Sequence, residues 1–236
     1  MRRPSSLIRF ALLAFGLLLA AACSGHGDGK VAVTAKPVPS PYTAGKQYIV
    51  LQPPAGQTAP TGPVVLVEVF SYACPHCAEF APYMDTLRST LPKDVQVRYM
   101  PAVFNDYWMP AGQAFYAARE LGVLAQTHDA LFKAHLEHYP LNSLQDMAAW
   151  YARHGVDPQK FLTAATSPTT LHDMVADQHT EMGWGIDSTP TLVVGRLASD
   201  KPDAPFVALM RSGDFGSYAD LQKLGLWMVE DVRGKP

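Results

Sequence analysis

Val64-Val65-Leu66-Val67-Glu68-Val69-Phe70 is apolar at every position but one. Such an uninterrupted run reads as a strand buried on both faces, extending to about residue 71. Behind it, Phe80, Met84, Leu87 and Leu91 recur at helical spacing, and Pro82 predicts a kink within that helix. Ahead of it, Gln47 to Leu51 reads as a first strand closed by Pro53-Pro54, and Val95 to Met100 alternates like a half-buried strand. Strand patterns then cease. Ala111, Ala114, Phe115, Ala118 and Leu121 mark a helix face with Gly122 as its cap, and a second helix is expected over 126–138. Ser143 with Asp146 three residues on, Asp157-Pro158 and Ser167-Pro168 each read as a helix start. Strands return at Thr191 to Val194 and Phe206 to Met210. A final helix from Ser217 buries Leu221, Leu224, Trp227 and Met228. The pattern predicts a strand–helix framework interrupted by a helical insertion over 105–183.

The chain has 236 residues, 48% hydrophobic and 17% charged, which suits one globular domain carrying that insertion. Its first 22 residues differ: Arg2, Arg3 and Arg9 precede a nearly all-apolar stretch from Phe10 to Leu19 and then three alanines. That is a secretory signal peptide, which places the mature protein in the oxidising periplasm. Its removal takes away three positive charges and no negative ones, so the net charge moves from -2 to -5 and nothing basic points to nucleic acid. Cys23 follows the alanines where a bacterial lipoprotein would be cleaved and acylated, predicting a lipid-anchored N-terminus. Residues 24–44 are rich in Gly, Pro, Ser and Ala and read as a flexible tether. The expected organisation is therefore 1–22 signal peptide, 23–44 anchor cysteine and tether, 45–104 and 184–236 the two parts of the framework, and 105–183 the insertion.

Cys74-Pro75-His76-Cys77 stands where the buried strand hands over to a helix. Unpaired N–H groups and the positive end of the helix dipole favour an anion there, so Cys74 is expected to ionise well below an ordinary thiol. Two intervening residues bring both sulfurs to the first helical turn, and Pro75 suits its first position. A structural zinc site would need further ligands, and c-type haem attachment needs His where Ala78 stands. A structural disulfide over so short a loop would constrain the unfolded chain little. Redox chemistry is the favoured reading, without metal or other cofactor. With the strand–helix framework it points to an α/β, thioredoxin-like fold with an inserted helical domain. His128, His135, His138, His172 and His179 lie at helical positions without a zinc signature and are expected at the surface.

From about Gly45 onward the chain resembles the DsbA family of bacterial thiol:disulfide oxidoreductases. The resemblance is carried by Glu68 through Cys77, by the helical insertion, by Thr189-Pro190 before the return strand, and by Gly45-Lys46-Gln47-Tyr48. It implies a monomeric enzyme that passes its Cys74–Cys77 disulfide to reduced exported proteins and is regenerated by a quinone-linked membrane oxidase of the DsbB type. On this reading Cys74 is the more exposed sulfur attacked by the substrate, Cys77 leaves first, and His76 favours the Cys74 thiolate. Thr189-Pro190 resembles the cis-proline loop that faces the dithiol and pairs with a bound peptide. Many DsbA-type oxidants carry Val before this proline, and several isomerase-type relatives carry Thr. Glu68 matches a buried acid beneath the active site that influences proton movement at Cys77; burial would raise its pKa. The alternatives are an isomerase or reductase on the same fold, which usually carries a dimerisation domain not expected before Gly45, and a peptide-binding lipoprotein using the cysteines as a clasp.

Overall fold

Strand β2 (Val64–Phe70) is buried at all seven positions because both of its faces are covered. Residues of alternate parity point to opposite sides of a sheet. Val64 and Leu66 pack with Phe80, Met84 and Leu87 of α1 (Pro75–Thr90) and Leu221, Leu224 and Met228 of α7 (Tyr218–Gly234). Val65, Val67 and Val69 pack on the other side with Ala102, Ile186, Val193 and Leu197. The computed structural model describes residues 40–53, 60–201 and 204–234; the expected signal peptide, Cys23 and the tether as far as residue 39 lie outside them.

Five strands form one sheet in the order β1-β5-β4-β2-β3. They are β1 (Tyr48–Val50), β2, β3 (Gln96–Pro101), β4 (Thr191–Leu197) and β5 (Phe206–Ser212). β2 and β3 run parallel, joined by α1 as a crossover, and the remaining pairs are antiparallel. The fold is α/β and thioredoxin-like, with the expected helical insertion. Gly225 lets α7 sit close on this sheet, since a Cβ there would stand 2.6 Å from Leu192 Cδ1. α1 runs as one helix through Pro82.

Between β3 and β4 lie a 3-10 turn (Asp106–Trp108) and five helices: α2 (Met109–Glu120), α3 (Leu124–Leu136), α4 (Leu144–Arg153), α5 (Pro158–Ala165) and α6 (Pro168–Gly183). The expected helix starts are built by local hydrogen bonds. The Asp146 N–H donates to Ser143 Oγ (3.1 Å) and the Ser143 N–H to Asp146 Oδ2 (3.0 Å), a reciprocal capping box. Asp157 and Ser167 accept the N–H groups of Lys160 and Thr170. The predicted stripe on α2 proves too narrow. Every residue from Ala111 to Ala118 is buried, because α2 is the central helix against which α3, α4, α5 and α6 pack.

Phe70 at the end of β2 and Tyr72 beyond it do not stay with the sheet. Both enter the core of the insertion, edge-on to Phe132, and Phe70 also meets Phe115. Here the sequence expectation for His128 fails. It is buried at 5% exposure, ringed by Phe70, Tyr72, Tyr99 and Phe132. Burial lowers its pKa to about 4, so it is neutral near neutral pH. Burial also pushes the Tyr72 hydroxyl well up, so Tyr72 keeps its proton, and its oxygen lies in hydrogen-bond contact with His128 Nδ1 at 2.7 Å. That single partner is what makes a buried histidine tolerable. His135 is half-buried, whereas His138, His172 and His179 are exposed.

Candidate active site

Cys74 is the N-cap of α1, extended at φ -96° and ψ 113°, and Pro75 supplies the first helical position. The chain turns into the helix here because Pro75 is preset for it and costs no hydrogen bond. Both sulfurs are buried, Cys74 at 4% exposure and Cys77 completely, and both are free thiols. They are unequal. The Cys77 thiol hydrogen-bonds to Cys74, and this is the largest influence lowering the Cys74 pKa to about 6. Burial opposes it, while Thr189 and the backbone N–H groups of Cys77 and His76 add to it. Cys77 is pushed well above an ordinary thiol, first by its burial and then by the anion at Cys74. The pair can therefore hold one negative charge on Cys74 and one proton on Cys77.

Facing the sulfurs is the loop before β4, with a cis bond between Thr189 and Pro190. As a thiol, Cys74 donates to the Thr189 carbonyl at 3.6 Å. The Thr189 side chain favours the ionised form of either sulfur, and its buried hydroxyl has no nitrogen or oxygen partner among the described residues. Cys74, Cys77, Thr189 and Pro190 thus converge. His76 diverges from them. Its Nδ1 lies 2.8 Å from the Tyr218 hydroxyl and 3.7 Å from Glu79 Oε2, and its side chain is 71% exposed.

Glu68 sits on the face of β2 that carries Leu66, beneath α1. It is buried at 1% exposure, and its Oε1 has no hydrogen-bond partner among the described residues. Burial above all, with Asp129, Asp85 and Cys74 adding, raises its pKa to about 8, and Arg88 opposes this weakly. It therefore carries a proton at neutral pH within electrostatic reach of both sulfurs. Tyr218, Glu79 and the Tyr72–His128 pair were not singled out in the sequence. A Tyr opening the last helix and a Glu two positions after Cys77 are ordinary surface residues until α7 is known to lie beside α1.

A thioredoxin family model matches residues 56–205. The thiol:disulfide interchange protein DsbA of Pseudomonas aeruginosa is 37% identical over 194 residues, covering 81% of this chain and 86% of that protein. That of Azotobacter vinelandii is 34% identical over 157 residues, covering 66% and 73%. The crystal structure of Pseudomonas aeruginosa DsbA superposes with a TM-score of 0.67 at 32% identity, covering 82% of this chain and 95% of that one. The DsbA structure from Xylella fastidiosa gives 0.68 at 27% identity, covering 82% and 98%.

The raised Glu68 pKa carries a sign for stability. Below about pH 4.5 both folded and unfolded chains hold the proton and the pH-dependent penalty is absent; above it the unfolded chain ionises first, so the Glu68 contribution lowers stability as pH rises toward about 8. Glu68→Leu removes this penalty. Urea unfolding of the oxidised protein should show its advantage over wild type growing by roughly 3 kcal/mol between pH 5 and pH 8. An advantage that stays flat with pH would mean that Glu68 is ionised in the folded protein.

Proposed function

The chain belongs to the DsbA family of bacterial thiol:disulfide oxidoreductases, and from this we propose that it donates its Cys74–Cys77 disulfide to reduced proteins newly exported to the periplasm. It is a disulfide-forming oxidoreductase. The observation that carries the direction of transfer is the charge held on Cys74 by the Cys77 thiol and the helix N–H groups. This interaction exists only in the dithiol. Whatever stabilises the dithiol makes the disulfide the stronger oxidant.

In the forward reaction a substrate thiolate attacks Cys74 Sγ. The Cys74–Cys77 bond breaks, its electron pair leaves with Cys77, and a mixed disulfide joins substrate to Cys74. A second substrate thiolate then attacks the substrate sulfur and Cys74 leaves as a thiolate. Two electrons pass to the enzyme and the substrate gains one disulfide. Cys77 takes up a proton as it leaves, in keeping with its raised pKa, and the protonated Glu68 is the buried acid able to exchange it. The Thr189 carbonyl, 3.6 Å from Cys74 Sγ, would accept a hydrogen bond from the substrate backbone, as in strand addition at a sheet edge. Thr189 and Pro190 are thus assigned to substrate binding, Pro75 and His76 to tuning Cys74. A DsbB-type quinone-linked membrane protein is the proposed acceptor of the two electrons. Acylation of Cys23 would hold the enzyme at a membrane, a reading that rests on the residues around position 23 alone.

The lowered Cys74 pKa predicts how stability divides between redox states. The folded dithiol ionises near pH 6 and the unfolded one near pH 9, so the contribution of the thiolate is complete above pH 9 and lost as pH falls through 6. Thermal melts should show the reduced protein gaining on the oxidised one from pH 6 to pH 9. An oxidised form that gains instead would reverse the proposed direction of transfer.

Cys77→Ala should accumulate mixed disulfides through Cys74, because the thiol that would resolve them internally is gone. Non-reducing gels of exporting cells should show several adducts with this variant. Adducts in Cys74→Ala in its place would exchange the roles of the two sulfurs.

For the anchor, intact-mass measurement of the mature protein should give a chain starting at Cys23 and heavier by its acyl groups. A Cys23 of unmodified mass, or cleavage at a later residue, would leave the enzyme without a lipid.

A further inference from the structure

Tyr218 opens α7, 142 residues from His76, yet its hydroxyl ties together two side chains of the first turns of α1. The oxygen stands 2.8 Å from His76 Nδ1 and donates to Glu79 Oε2 at 2.7 Å. A phenol has one proton. With that proton committed to the carboxylate, the Tyr218 oxygen can only accept from the ring, so Nδ1 must bring the hydrogen. This holds whether the imidazole is neutral or charged. Nε2 is then the bare nitrogen of the neutral ring, and it has no partner among the described residues on a side chain that is 71% exposed.

The phenol is itself held. Its ring lies 6.1 Å from Phe80, 6.0 Å from Tyr83 and 6.4 Å from Phe215 between centroids. Partial burial, and then the bond to Glu79, push its pKa up to about 12, so the hydroxyl remains a donor throughout the working range. The titratable groups facing His76 are thus Glu79 on its own helix and Tyr218 on α7, and the two cysteines act on Tyr218.

We propose that Tyr218 is a positioning residue beside the redox centre: with Glu79 it locks His76 into the Nδ1–H form and one rotamer, so that Nε2 is the unprotonated nitrogen of the neutral ring, turned away from this clamp. A neutral imidazole left to water places its proton preferentially on Nε2, so the clamp inverts the intrinsic choice. The inference deepens the assignment of His76 to tuning Cys74 and rests on it for its functional consequence. The tautomer follows from the hydrogen bonds alone. Fixing the ring gives Cys74 one constant electrostatic neighbour in place of an average over rotamers.

Nitrogen-15 NMR of the neutral imidazole reads the tautomer directly. Wild type should show Nδ1–H. Tyr218→Phe, which keeps the aromatic contacts, should show mainly Nε2–H. Glu79→Leu should do the same by a different route, because the Tyr218 proton is then free to go to Nδ1. Wild type in the Nε2–H form, or a tautomer unmoved by either variant, would overturn the proposal. Thiolate absorbance at 240 nm gives the second readout. Tyr218→Phe should reduce the Cys74 thiolate fraction at pH 6 by about threefold, and should have no further effect in a His76→Ala background. A shift of equal size with and without His76 would show that Tyr218 does not act through the ring. Should wild type fail to oxidise a reduced peptide, the disulfide-donor reading falls while the tautomer measurement still decides this one.

Discussion

One proton and one negative charge, divided unequally between two sulfurs on the first turn of α1, set the terms for the rest of this molecule. The division follows from position. Cys74 is the N-cap, where N–H groups of the following residues are available, and Cys77 is one turn deeper and wholly buried. A carboxylate in that deeper place would have worked against the arrangement, since Cys77 already carries the repulsion of Cys74. Glu68 meets the constraint by holding its proton. The sheet thus supplies a neutral acid below the helix, and the cis-proline loop supplies a carbonyl above it.

This arrangement costs stability. An acid with an unpaired buried oxygen in the middle of a seven-residue apolar strand is worse for folding than any aliphatic residue of similar size. The burial of Cys77 is a second cost, because its raised pKa means that the fold opposes ionisation of that thiol, whereas the lowered pKa of Cys74 adds stability to the dithiol. Elsewhere the packing is conventional. Apolar rows of β2 face α1 and α7 on one side and Ala102, Ile186 and Val193 on the other, and the insertion is organised around a helix buried from Ala111 to Ala118. The departures from an ordinary core are gathered where chemistry is performed.

Local signals were legible in the sequence wherever the physics was local. Ser143, Asp157 and Ser167 each accept from the backbone N–H three residues on, of Asp146, Lys160 and Thr170, so both partners of the bond that starts the helix lie within one turn of sequence. The Cys-Pro-His-Cys run and the solitary acid in β2 were equally readable, since strand-to-helix handover and full burial follow from the pattern around them. His128 was not. Its helical position looks like a surface one, and the aromatic rings that bury it and the Tyr72 hydroxyl that bonds it include residues up to 58 positions away. The Tyr218 contacts with His76 and Glu79 were hidden for the same reason, spanning 142 and 139 residues. Periodicity locates a helix face, but it does not say which polar side chain on that face will meet a partner.

Phe70 and Tyr72 belong by sequence to the framework and by packing to the insertion. The borders expected from the sequence at 104/105 and 183/184 therefore do not coincide with a border in the packing. Recombination between relatives at those borders would deliver a foreign helical block to a pair of aromatic rings fitted to His128, Phe115 and Phe132. The packed unit is larger than the inserted segment: it takes in the end of β2 and, four residues on, Cys74 itself. Diversification of the helical block and of the redox centre would have to proceed together, as one unit of descent.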